Sequence, residues 1–106
     1  MMAYYLVTAN PKAERLSDLE ARLRRDEFMP LRPFGTDLSS SLRGARIRPD
    51  GVAIWEEEDY CRPPLAQERE AVLDRYFEGI EVETVGEGDG WQRIDGLPRL
   101  FPDLAR

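Results

Sequence analysis

Short apolar runs alternate with charged stretches along the chain, and the period of each run predicts an element. Tyr4 to Ala9 is almost continuously apolar and rich in β-formers, the pattern of a strand buried on both faces. Asn10 and Pro11 read as a cap and a first-turn proline. Ala13, Leu16, Leu19 and Leu23 then recur at helical spacing, with Arg22, Arg24 and Arg25 near the end, where the helix dipole favours cations. This predicts a first helix of about four turns. Phe28 to Phe34 is extended in character, but Pro30 and Pro33 restrict it to an edge strand or a loop. Gly35 to Arg48 reads as loop, with room for one helical turn capped by Asp37. Pro49, Asp50 and Gly51 signal a turn, so Ala45 to Arg48 and Val52 to Glu56 predict a hairpin. The second strand is therefore either residues 28–34 or residues 45–48. Pro64 opens a second helix running to about Phe77, which Gly79 stops, and Ile80 to Val85 alternates as a half-exposed strand does. Gly86, Gly88 and Gly90 imitate a phosphate loop in spacing, but Glu87 and Asp89 repel phosphate, so a flexible turn is expected.

The order strand, helix, strand or strands, helix, strand predicts an α+β fold, a ferredoxin-like βαββαβ sheet with two helices on one face. Tyr4 to Ala9 and Val52 to Trp55 carry apolar residues on both faces, as the two central strands of that sheet would. Two helices cover one face only. The simplest cover for the other is a second copy packed sheet to sheet across a two-fold axis. On these strands and helices, roughly residues 4 to 85, the chain resembles the dimeric α+β barrel superfamily, which includes muconolactone isomerase-like and antibiotic-monooxygenase-like domains. The resemblance is one of topology. It implies a homodimer and assigns no functional residue. Leu97, Leu100, Phe101 and Leu104 are too apolar for a free end, yet Pro98 and Pro102 forbid a regular helix. Residues 91–106 are thus expected to form an extended arm on the domain or its partner subunit.

With 106 residues, 42% apolar and 34% charged, the chain suits a single domain spanning residues 1–106. A net charge of −6 argues against nucleic acid and anionic membrane surfaces as partners. No apolar run approaches the roughly 18 residues that cross a bilayer, and the first residues lack a basic leader, so a cytoplasmic protein is expected. The absence of histidine removes imidazole-based triads, histidine metal sites and proximal-histidine haem. A single cysteine, Cys61, allows no internal disulfide and no cysteine-rich zinc cluster. Neither a cofactor nor a metal site is predicted.

The densest chemistry lies where Val52 to Trp55 runs into Glu56, Glu57, Glu58 and Asp59. Side chains alternate along a strand, so Glu56 and Glu58 share one face and Glu57 and Asp59 the other. Paired carboxylates can divide acid and base roles or hold a hard cation; a solvated strand end is the simpler account. Arg69 falls at the centre of an apolar stripe formed by Leu65, Val72, Leu73 and Tyr76 when each residue turns by about 100°, which predicts a carboxylate partner from Glu56, Glu57 or Glu58. Cys61, without an imidazole base, reads as a small packed residue. Arg43, Arg46 and Arg48 form a basic patch that surface acids can neutralise. Two functions follow. The preferred one is a small-molecule-binding domain with ligand-binding candidates Trp55, Glu56, Glu58, Tyr60 and Arg69, beside Tyr5, open to cofactor-free acid and base chemistry; no catalytic residue is assigned. The alternative is a non-catalytic dimeric interaction or regulatory module.

Overall fold

A computed structural model describes residues 2–104. The first strand, β1 (Ala3–Pro11), leads through a 3-10 turn at Ala13–Arg15 into helix α1 (Leu16–Arg24). Helix α2 (Gly35–Arg43), the short strand β2 (Arg46–Ile47) and strand β3 (Ala53–Asp59) follow. A composite helix α3 over residues 66–76 then passes directly into strand β4 (Phe77–Val85), and a five-residue helix α4 (Asp89–Arg93) precedes the tail. The result is an α+β fold around one four-stranded sheet of order β2-β3-β1-β4, antiparallel at every junction. None of the described helices is long and apolar enough to cross a membrane.

Register decides what each face carries. Tyr5 lies opposite Glu57, Val7 opposite Trp55 and Ala9 opposite Ala53, while Tyr4 faces Glu58 and Leu6 faces Glu56. The first set looks toward the main core, where Val7, Ala53 and Trp55 pack with Leu19 and Leu23 of α1, Leu38 and Leu42 of α2, and Val72, Leu73 and Tyr76 of α3. The second set looks the other way. There Leu6 and Ile54 are buried beneath Ile94, with Trp91, Leu97 and Val85 around them. The cover that the two-faced central strands demand is thus supplied within the chain, by α4 and the tail, and no second copy is needed to bury these two residues.

The segment read as loop from Gly35 onward is a nine-residue helix. Leu38 and Leu42, one turn apart, are both fully buried, and burying a pair at that spacing favours helix over the local preference of a serine run. Residues 28–34 form turns rather than an edge strand, held by bonds from Leu31 N–H to the Phe28 carbonyl (3.1 Å) and from Gly35 N–H to the Leu31 carbonyl (2.7 Å). The second strand is therefore the one within residues 45–48. At Gly35 an added Cβ would stand 2.2 Å from the Phe28 carbonyl oxygen and 2.8 Å from that of Met29. Gly35→Ala is expected to cost about 2 kcal/mol, read as a lower urea midpoint; an unchanged midpoint would show that the 28–34 turn yields freely.

The tail adds to the edge of the sheet. Ile47 N–H donates to the Pro98 carbonyl and Leu100 N–H to the Ala45 carbonyl, both at 2.9 Å. Arg46 closes the same junction through its guanidinium, which donates to the carbonyls of Asp95 (2.8 Å) and Leu97 (2.6 Å). Phe101 and Leu104 reach the main core.

Candidate functional site

The acidic end of β3 is divided by the pleat into two sites of different character. On the α4 side, Glu56 is buried and its carboxylate is held by backbone alone. Gly88 N–H donates to Oε2 at 2.8 Å, and Gly90 and Trp91 donate to Oε1 at 2.7 and 3.2 Å. The glycine-rich segment taken for a flexible turn is thus an anion cradle whose anion comes from the protein itself. A Cβ at Gly90 would stand 2.8 Å from Glu56 Oε1 and 3.2 Å from the Glu56 Cβ, so a larger residue there would displace the carboxylate from its cradle.

Glu58, two residues on, points to the same side and accepts a hydrogen bond from the Tyr4 hydroxyl at 2.6 Å. That bond, with the nearby carboxylates, pushes the Tyr4 hydroxyl pKa up to about 12. Asp37 of α2 approaches from across a cleft. Its partial burial there and then the charge of Glu58 raise its carboxyl above the ordinary range. Short β2 pairs only with Ala53 and Ile54, so α2 takes the place of an edge strand beside the rest of β3. The resulting cleft of about 330 Å³ is lined by Tyr4, Asp37, Glu56, Glu58, Glu87 and Trp91, with Ser40, Ser41 and Gly88. None of these residues is basic.

On the opposite side of the strand, Glu57 and Asp59 turn into the main core and meet Glu68 of α3. Asp59 Oδ2 accepts hydrogen bonds from Leu65 N–H (2.6 Å) and Cys61 N–H (3.2 Å). Trp55 Nε1 donates to Glu57 Oε1 at 2.9 Å. No donor reaches Glu57 Oε2 or either oxygen of Glu68, although Glu57 is 1% and Glu68 0% exposed. Burial is the main reason that the Glu57 carboxyl is pushed well above its ordinary value, and the charges of Glu68 and Asp59 add to it. Burial again, followed by Asp59, raises Glu68 to about 7. Burial also pushes the Cys61 thiol up, and Asp59 and Glu68 reinforce it.

Of the residues singled out in the sequence, Glu56 and Glu58 line the acidic cleft and the other three do not. Trp55 is enclosed in the core against Phe77, ring centroids 5.1 Å apart. Tyr60 is 51% exposed and borders a separate depression beside Tyr5 and Cys61. Arg69 is not the buried partner of the acidic run. Its side chain is 46% exposed and pairs at 3.7 Å with Asp74. The stripe argument fails for two local reasons. Leu65 has a left-handed backbone (φ 63°) and so stands outside the helix whose phase it seemed to set. Arg69–Leu73 then forms a π-type turn, in which each residue rotates less about the axis than in an α-helix. The stripe re-centres on Glu68, Val72, Leu73 and Tyr76, all buried.

Glu68 had no sequence signal, because its burial follows from that change of phase. Tyr4, Asp37, Glu87 and Trp91 gave none either, since they lie far apart along the chain. Set beside known proteins, the chain matches no family model, no curated protein and no solved structure.

Proposed function

We propose that the chain is a small-molecule-binding domain on a ferredoxin-like scaffold, and that its ligand is a small organic cation such as an amine or guanidine. The strand order β2-β3-β1-β4 with antiparallel neighbours supports the scaffold, because each of the two helix-bearing crossovers skips one strand, as in a split βαβ unit. The observation that carries the ligand class is the cleft: four carboxylates, Asp37, Glu56, Glu58 and Glu87, converge on it beside Trp91 and the Tyr4 hydroxyl, with no basic residue among its lining. Three backbone N–H groups hold the Glu56 carboxylate in place at the wall of the cleft. Glu58 and Asp37 offer acceptors to an ammonium group, and the repulsion that adds to burial in raising the Asp37 carboxyl is relieved when a cation enters between them. Trp91 adds an aromatic wall suited to cations.

The test is a titration of the protein with matched panels of small amines, guanidines and carboxylates, followed by tryptophan fluorescence and calorimetry. Cations should bind and carboxylates should not. Glu58→Gln should weaken the best cation roughly tenfold, about 1.4 kcal/mol, and added salt should weaken it further. Preferential binding of carboxylates, or no cation bound at millimolar concentration, would remove this reading.

A further inference from the structure

We propose that Asp59, Cys61 and Glu68 form a binding site for a divalent transition-metal ion of the zinc type, on the side of the sheet away from the acidic cleft. One ligand atom from each of the three lies within 4.8 Å of the others. In the tetrahedral geometry usual for zinc, ligand atoms stand about 3.5 Å apart, so side-chain rotations that move each ligand atom by about an ångström bring all three onto one ion.

The unpartnered oxygens of Glu68 are an independent sign that something is to be held there. Glu68 is fully enclosed, no donor within hydrogen-bond geometry reaches its oxygens, and the side chains that face them are the carboxyls of Asp59 and Glu57. Glu57, whose carboxyl faces Glu68, leaves Oε2 without a donor as well. Among the described residues no arginine or lysine forms an ion pair with Glu57, Asp59 or Glu68. Buried carboxylates are ordinarily paired, protonated or bound to metal, and the thiol of Cys61 stands at the point where these meet.

The surroundings supply the rest of a metal site. Asp59 is oriented by two backbone N–H bonds, the outer-shell support that metal ligands require. The left-handed backbone of Leu65 turns its N–H onto Asp59 and starts α3 so that Glu68 follows on the facing turn. Cys61 borders an open depression of about 410 Å³ that is also lined by Tyr5, Tyr60, Arg62 and Pro64, so of the three ligands its thiol is the one that faces this opening. A thiolate beside two carboxylates selects zinc or cobalt over magnesium and calcium, which take oxygen donors. The histidine-free composition therefore leaves zinc-type chemistry open.

The experiment uses the full chain, stripped with a chelator and titrated with Co²⁺ and then Zn²⁺. Cobalt should bind one per chain with a thiolate-to-metal charge-transfer band, zinc should displace it, and Mg²⁺ or Ca²⁺ should not. Cys61→Ser should abolish the band, and Glu68→Gln should weaken zinc roughly tenfold or more while circular dichroism reports an intact fold. Glu58→Gln, on the other face of the strand, should leave zinc binding unchanged, which separates this site from the cleft. Absence of one-to-one cobalt binding to the wild type, or zinc affinity unaltered in a folded Glu68→Gln variant, would overturn the proposal. An equal response to Mg²⁺ would overturn its donor chemistry.

Discussion

Metal-free protein should lose stability as the pH rises from about 5 to 8, and Glu68→Gln should reduce that loss without abolishing it. The sign follows from where the protons are held. In the unfolded chain a glutamate titrates near 4.5, whereas in the native state Glu68 titrates at about 7 and Glu57 well above 4.5. Between those values the folded protein binds more protons than the unfolded one, so stability falls with increasing pH. At about 1.4 kcal/mol per pH unit, the difference for Glu68 amounts to about 3 kcal/mol lost by the time both states are ionised. Glu57 extends the decline to higher pH. For a domain of this size the melting temperature should drop on the order of 10 °C or more. Glutamine keeps the shape of Glu68 without the charge, so at pH 8 the variant should be the more stable protein by about 2 kcal/mol. Thermal melts in chelator at pH 5, 6, 7 and 8 measure both; a flat wild-type curve would mean that the buried acids are not isolated from solvent. Zinc at pH 8 should stabilise the wild type more than the glutamine variant, by about 1.4 kcal/mol for a tenfold difference in affinity.

Glu56→Ala should destabilise the fold by about 3 kcal/mol and loosen the segment from Gly88 to Leu97. Three backbone donors converge on this carboxylate. Gly88 is exposed and can turn to water, but Gly90 is buried and would keep an unsatisfied N–H, a cost of about 1–3 kcal/mol, besides the loss of the charge-assisted bonds. The effect spreads because α4 carries Trp91 and leads into Ile94 and Leu97, which cover Leu6 and Ile54. Hydrogen exchange should therefore quicken at Gly88, Gly90 and Trp91 and also at the central-strand amides beneath. Glu56→Gln should fall between the two, since an amide oxygen still accepts but without charge. A loss below about 1 kcal/mol for Glu56→Ala would show that the cradle forms without its anion.

Elements whose signals are local were legible in the amino-acid pattern alone. The apolar runs placed β1 and β3 at the centre of the sheet, because a strand buried on both faces has few polar positions whatever packs on it. The helical spacing from Leu16 to Leu23 defined α1, and the turn at Pro49, Asp50 and Gly51 the hairpin. The division of Glu56 and Glu58 from Glu57 and Asp59 followed from the two-residue period of a strand. What tertiary structure decided were the features for which several segments have to meet. Helix α2 exists because Leu38 and Leu42 find the core, against the preference of the serines around them. The second face of the sheet is covered by Ile94 and Leu97, from a tail whose prolines disclose only that it is irregular. In α3 the left-handed Leu65 and the π-type turn reset the helical phase, so Glu68 rather than Arg69 faces inward. Both candidate sites lie at such meetings. A periodicity shows that a side chain is turned inward, but only the packed chain determines which carboxylates share one dry space and which share a cleft open to a ligand.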